Sequence, residues 1–361
     1  MAQHTAYDLK QMQSLSLEAK IIMTKQRIKA WYESWIRYEI INKETGKTRY
    51  VTATEEPPLK EGEYINSEID GQVYVSFSGG KDSTVLKHIV DSMYNDVPSL
   101  FVNTGLEYPE IQKFAMSQKN VITVRPEMRF DEVIKKYGYP VISKEVAKTI
   151  YEANGDVKHA VYAFEGKCVN GTPSKYRQRF VKYGYLVKSE IPISHKCCDE
   201  MKKKPAKIYE KESRRIPIVG TMANESVLRR KAWMQNGCNA FNANRPVSQP
   251  LSFWTEQDIL QYIKTYNIPY CSVYGDIIEV DGKLKTTGCD RTGCIFCMFG
   301  CHLEKTPNRF QRLKETHPRQ YEYCIGGGEM VDGKWQPSKE GFGLGKVLDY
   351  IGVDYGQQKG R

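Results

Sequence analysis

Ser78-Gly79-Gly80-Lys81-Asp82-Ser83 lies between a short apolar run, Val73-Tyr74-Val75, and a helix-like segment from Thr84 to Met93. The order reads as strand, loop and helix. The two glycines let the backbone take φ > 0 and turn successive N–H groups toward an anion with no Cβ in the way. A helix starting here adds its positive end, worth about 0.3–1 kcal/mol per favourable charge contact, and Lys81 and two hydroxyls sit within reach. The stretch therefore reads as a cradle for a polyphosphate. Its spacing is neither that of a Walker A loop nor G-x-G-x-x-G.

Outward from the loop, strand and helix patterns alternate. Val73–Val75, a helix from Thr84, Leu100–Val102, a helix over Pro109–Gln118, Val121–Val124 and a helix from Phe130 follow in turn, then Ile216–Val219, Glu225–Trp233 and Thr255–Thr265. This is the pattern of a parallel sheet with crossover helices, an α/β fold of the doubly wound kind. Sites in such sheets lie outside the carboxyl ends of the strands, which places Ser78–Ser83, Asn103–Glu107 and Gly220–Ser226 around one crevice. Residues 6–50 read as a helical arm, from Leu15, Leu17, Ile21, Ile22, Ile28, Trp31, Trp35 and Tyr38 near helical spacing, and Thr52–Asn66 as a linker or hairpin. The expected division is 1–66 for arm and linker, 67–270 for the nucleotide-binding domain with 155–193 as an insertion or lid, and 271–361 for a Cys-rich region and tail.

The chain has 361 residues, 40% of them hydrophobic, enough for an ordinary buried core. No apolar run is long enough to span a membrane, and Met1-Ala2-Gln3-His4 lacks the features of a signal peptide, so a cytoplasmic location is expected. Ten cysteines there point to metal or redox chemistry rather than a disulfide framework. The formal charge of +10 favours polyanions, with its densest stretches at Lys202-Lys203-Lys204, Lys207, Lys211, Arg214, Arg215 and at Arg229-Arg230-Lys231. Those stretches read either as solvated helix faces or as a nucleic-acid surface.

The loop Ser78–Ser83 resembles the S-G-G-K-D-S signature of the PP-loop ATP pyrophosphatase superfamily, of the adenine nucleotide alpha hydrolase-like type. That resemblance implies binding of the β and γ phosphates and cleavage of ATP to AMP and pyrophosphate. Within the superfamily, residues 70–325 look most like the phosphoadenosine phosphosulfate reductase family. Asn103-Thr104-Gly105 with Glu107-Tyr108-Pro109 resembles a D-T-G…P-E segment, with Asn103 in place of the usual Asp. Gly220 to Arg229 resembles G-x-R-A-x-E-S-x-x-R, matching at Gly220, Glu225, Ser226 and Arg229, while Met222 replaces the arginine. Pro250-Leu251 with Trp254 to Asp258 resembles the P-L…W-x-x-x-D segment.

The cysteines extend the resemblance. Cys197-Cys198-Asp199-Glu200-Met201-Lys202 and Gly293-Cys294-Ile295-Phe296-Cys297 are similar to the C-C-x-x-x-K and G-C-x-x-C pieces that hold a [4Fe-4S] cluster in adenylylsulfate reductases. Two separated thiolate pairs also suit a tetrahedral zinc. Cys289 and Cys301 flank the C-x-x-C, so a local site of Cys289, Cys294, Cys297 and Cys301 is the rival set. If the two pairs hold the cluster, Cys289, Cys301 or Cys324 is left to carry sulfur, with His302 beside Cys301 as a base or a surface residue. Sulfonucleotide reductases carry a C-terminal E-C-G-[IL]-H nucleophile; this chain reads Asp354-Tyr355-Gly356-Gln357-Gln358-Lys359-Gly360-Arg361. Lys81 and Asp82 are retained where reductase loops tend to degenerate.

Together these features lead to the expectation of an ATP-dependent sulfur-transfer enzyme. ATP would be its substrate, with Mg²⁺ at Asp82, and Lys81 would balance charge on the leaving pyrophosphate while Ser78 and Ser83 donate to phosphate oxygens. A sulfur donor or a thiol reductant protein is the implied partner, and tRNA or DNA a candidate acceptor. Two alternatives stay open: reduction of phosphoadenylyl or adenylyl sulfate with Cys301 as nucleophile, and a non-enzymatic cluster protein that binds nucleic acid.

Overall fold

The computed structural model describes residues 4–357. Met1–Gln3, read for a leader, and the last four residues of the tail, read for a nucleophile, lie outside them. The chain forms two compact units that interleave along the sequence. One is built from the chain up to Asn103, Tyr108–Val124 and Ala206–Thr292; the other from Thr104–Glu107, Arg125–Pro205 and the chain from Gly293 onward. Neither residue 66 nor residue 270 is a boundary between these two units.

The first unit carries the expected sheet. Its six strands run in the order Val121–Val124, Ser99–Val102, Val73–Phe77, Ile216–Val219, Val247–Ser248 and Asn239–Ala240. All neighbours are parallel except the last pair. Val73, Val75 and Phe77 are buried and so is the apolar face of helix Lys81–Asp91, Val85, Leu86, Ile89 and Val90. Near-continuous apolar strands are what a sheet covered on both faces demands. Burial of each such side chain contributes roughly 1.5–3 kcal/mol. Chain order moves outward from Val73–Phe77 to one side, then returns to the other side at Ile216–Val219. That switch point is where open α/β sheets leave room for a ligand.

The helical arm ends earlier than its periodicity implies. Helices Ala6–Gln13 and Leu17–Ser34 are followed by an antiparallel sheet of Ile36–Asn42, Thr48–Ala53 and Glu63–Ile69, with Ile36–Asn42 in the centre. The turn after Asn42 explains the change. Asn42 Oδ1 accepts from the N–H groups of Glu44 (3.1 Å) and Thr45 (2.8 Å), and Gly46 takes φ +66°. Such an Asx-stabilised turn closes a hairpin, and Tyr38 and Ile40 then alternate into the interior as strand residues.

The second unit is mostly helical, with short two-stranded pairings. Val141–Ile142 lies parallel to Met298–Phe299. Residues 155–193 form the helices Lys158–Phe164 and Gln178–Val181 within this unit, with Ala160, Phe180 and Leu186 buried. No helix among the described residues is long and apolar enough to cross a membrane.

Candidate active site and cysteine pocket

Helix Lys81–Asp91 begins directly after the loop, with Gly80 at its N-cap and no side chain capping it. Glycine has no side chain to take up the first-turn N–H groups, and among the described residues only that of Lys81 meets a side-chain oxygen, Tyr274 Oη. The two glycines differ in what they supply. Gly79 has φ +73°, and a Cβ there would stand 3.1 Å from Ile111 Cγ2 and the Ile111 carbonyl oxygen. Gly80 has φ −76°, ordinary for any residue, so only Gly79 needs the freedom expected of both. Ser83 Oγ donates to Gly80 O (2.9 Å) and lies 3.1 Å from Ser78 Oγ, which ties the loop closed on itself.

Lys81 is buried. Its Nζ pairs with Glu256 (2.9 Å), donates to the Asp290 carbonyl and lies 5.2 Å from the centroid of the Tyr274 ring. Its backbone N–H donates to Tyr274 Oη (3.3 Å), which also meets Thr292 Oγ1 at 2.7 Å. Asp82 Oδ1 is buried without a hydrogen-bond partner among the described residues. Burial pushes the Asp82 carboxyl above its ordinary range, against the opposing pull of Lys81 and Arg291. Lys81, Asp82, Met222, Asn224, Glu225, Thr255, Glu256 and Arg291 line a cavity of about 220 Å³.

Gly220 brings the second segment against the first: a Cβ there would lie 3.1 Å from Asp82 O. Beyond it, Glu225 shapes a turn. It accepts from the Met222 N–H (2.8 Å) and from Arg291 (2.6 Å), and pairs with Arg229. Ser226 caps helix Val227–Asn236 by accepting from the Arg229 N–H (3.2 Å). Asn103 is buried at the end of its strand, and its N–H donates to Val124 O (2.9 Å). Thr104–Glu107 belongs to the second unit, where Thr104 Oγ1 donates to the Glu107 carboxylate at 2.8 Å. The loops 78–83 and 220–226 thus share one unit, and 104–107, expected at the same crevice, is part of the other.

Sequence reasoning missed Tyr274, Asp290, Arg291 and Thr292. Tyr274 ends a single 3₁₀ turn, Ser272–Tyr274, and the other three lie in irregular chain, so no period marks any of them. Glu256 sat within a quoted segment as the residue after a helix-capping Thr255, and its proximity to Lys81 needed the fold.

In the second unit, Cys197, Cys198, Cys294 and Cys297 line one pocket together with Leu106, Phe130, Pro140, Met201, Lys202 and Phe296. Cys198 immediately precedes a π-turn, Asp199–Lys203, an element frequent at functional sites. Cys297 closes a tight turn, its N–H donating to Cys294 O at 3.1 Å, while Leu106 O accepts from the Ile295 N–H at 2.8 Å. Cys197 Sγ lies 3.9 Å from Cys198 Sγ. That contact lowers the Cys198 thiol to about 6, helped by Lys144 and Lys202, and pushes Cys197 up. Burial raises Cys294 to about 11 and also raises Cys297.

Among the described residues, no group of three or more Cys, His, Asp or Glu side chains has the geometry to hold a metal ion. A single zinc would need its donors drawn to one point at about 2.3 Å. Four sulfurs border one largely apolar pocket, with Lys202 the single cation in its lining. Of the rival set, Cys289 lies in the sheet-bearing unit, its N–H donating to Val273 O at 3.0 Å. Cys301 is buried, donates to Met298 O at 3.1 Å, and is pushed up to about 12 by burial.

The lysine run beside this pocket is extensively paired. Lys203 meets Asp199 at 2.8 Å and Lys204 meets Glu127 at 2.6 Å, which accounts for much of that charge within the fold.

The chain is 23% identical over 254 residues to an uncharacterized protein from Methanocaldococcus jannaschii, an alignment covering 69% of this chain and 46% of that protein. It thus spans about half the length of that relative. The family model for the phosphoadenosine phosphosulfate reductase domain matches residues 72–148 and 159–299, a span that takes in the phosphate loop, the Gly220–Arg229 segment and both cysteine pairs. With more than half its length matched, the chain belongs to the phosphoadenosine phosphosulfate reductase family, within the PP-loop superfamily of nucleotide-binding enzymes.

Proposed function

We propose that the protein binds ATP, cleaves it to AMP and pyrophosphate by adenylating an oxygen of an acceptor, and exchanges that oxygen for sulfur. The observation that carries this reading is the cavity in which Lys81, Asp82 and Glu256 meet at the N-terminus of helix Lys81–Asp91. A lysine and two carboxylates suit a metal-bound polyphosphate, with Lys81 opposite the charge that develops on the departing bridge oxygen. In the first step the acceptor oxygen attacks the α-phosphorus, the bond to the β-phosphate bridge breaks, and pyrophosphate departs with the electron pair. In the second, a sulfide donor attacks the activated carbon, the C–O bond breaks, and AMP departs with the oxygen and the electron pair, so that a C–S bond replaces C–O.

Asp82 and Glu256 are the carboxylates that would hold Mg²⁺, a hard ion that prefers oxygen ligands. Cys197, Cys198, Cys294 and Cys297 would hold a [4Fe-4S] cluster, whose contribution would be an iron that binds sulfur, or a structural tie.

Reduction of phosphoadenylyl or adenylyl sulfate is the second reading, favoured by the family match itself. It needs a thiolate nucleophile, and Cys301 is buried with its thiol raised to about 12, the character of an inert cysteine. Incubation with ATP and candidate acceptors, including tRNA and DNA, should release AMP and pyrophosphate. Sulfite from labelled phosphoadenylyl sulfate, with no pyrophosphate from any acceptor, would decide for the reductase.

A further inference from the structure

A second cavity, of about 340 Å³, opens in the sheet-bearing unit at the amino-terminal end of strand Ile216–Val219. The phosphate loop follows the carboxyl end of the neighbouring parallel strand, Val73–Phe77, so the two sites lie at opposite ends of the sheet. The lining includes Tyr50 and Thr52 of the edge strand Thr48–Ala53, and three arginines, Arg214, Arg215 and Arg245, against one acidic residue, Glu210.

That carboxylate is already committed. Glu210 accepts from Tyr74 Oη at 2.6 Å and is held by both Nε (3.0 Å) and Nη2 of Arg245, so that pair is neutralised internally. Arg215 Nη1 donates to Val73 O (2.9 Å) and Gly71 O (3.2 Å), carbonyls that orient the group without cancelling its charge. Arg214 follows helix Lys204–Ser213 at φ +60°, a left-handed position that favours glycine or asparagine. The backbone gains nothing from an arginine there. Arg214 is exposed and is one of the residues that line the cavity. Thr52 Oγ1 is buried with no partner among the described residues, and Tyr50 holds a half-exposed aromatic ring at the same cavity.

We propose that this cavity is a second phosphate site, separate from the ATP site, in which Arg214 and Arg215 take the oxyanion and Tyr50 offers a face for stacking. Guanidinium forks match phosphate oxygens, and an adjacent aromatic face suits a base. The phosphate comes either from a free anion such as pyrophosphate or from a nucleic-acid strand. Neither requires that the ATP reading be correct.

Binding should be measured on the full chain carrying Lys81→Ala, which removes the loop lysine as a competitor, with inorganic pyrophosphate in one arm and a short single-stranded oligonucleotide in the other. Arg214→Gly is the informative variant because it relieves the backbone: its melting temperature should hold or rise while affinity falls about tenfold. Loss confined to pyrophosphate identifies a free anion. Loss for the oligonucleotide, with the salt slope reduced by about one, identifies a strand. Unchanged affinity for both probes on Arg214→Gly, or no binding of either at low salt, overturns the site.

Discussion

Lys81 Nζ lies 2.9 Å from Glu256 Oε1, with the lysine side chain only 4% exposed and the glutamate 53% exposed. The pair is lopsided: the lysine depends on its partner, whereas water can solvate the carboxylate alone. An arriving polyphosphate can therefore take over the lysine at small cost. Glu256→Gln should raise metal-free ATP affinity by up to about fivefold, the range of an exposed ion pair. Lys81→Ala should cut pyrophosphate release by about 10²–10³, as loss of one preorganised charge does. Calorimetry with a chelator present checks the first, and a weaker-binding Glu256→Gln protein would refute the screening role.

Asp82 sets a pH dependence. Its folded-state carboxyl is raised above the ordinary 3.8 by burial, so the folded protein holds a proton that the unfolded chain releases. Over that window the folded state binds more protons, and stability falls as pH rises through the raised value. Asp82→Asn removes the buried charge at neutral pH. The nucleotide-free variant should melt higher than wild type near pH 7 and lose part of the acid-to-neutral decline, while adenylation falls by about 10². Melting curves across that range test the sign, and a lower melting temperature at neutral pH would contradict it.

The two loop glycines should separate cleanly. Gly79→Ala puts a side chain at φ +73° and 3.1 Å from the Ile111 backbone oxygen, costing about 1–2 kcal/mol for the handedness alone. Gly80→Ala keeps φ −76° and meets Tyr274 Oη at 3.2 Å and Ser78 Oγ at 3.3 Å, side-chain atoms that can shift. Thermal denaturation should rank Gly79→Ala well below Gly80→Ala. Equal melting temperatures would mean the loop backbone relaxes.

The phosphate loop and the central strands were legible because their signals are local. Glycines, a lysine and an apolar run mark a strand, turn and helix within a few residues. The Ile36–Asn42 strand was not, since Tyr38 and Trp35 continue the helical spacing of Trp31 and only the Asn42 turn reveals the hairpin. The interleaved units were invisible for a different reason. Pairing Val141–Ile142 with Met298–Phe299, or enclosing Leu106 with Cys198 and Cys294, joins segments far apart in sequence, and no periodicity encodes such closures. Both cysteine pairs were found by motif, yet that they line one pocket needed the fold.

The four pocket cysteines should behave as a set. Anaerobically purified protein should carry iron and acid-labile sulfide, with an EPR signal on reduction, and Cys198→Ala and Cys294→Ala should each lose most of both. Cys301→Ala should retain them, because its thiol is spent on the Met298 carbonyl. Chelation should also lower the melting temperature of wild type more than that of Cys198→Ala, since binding energy to a folded site adds to folding stability. Full iron content in Cys198→Ala together with its loss in Cys301→Ala would move the ligand set to the local run of 289, 294, 297 and 301.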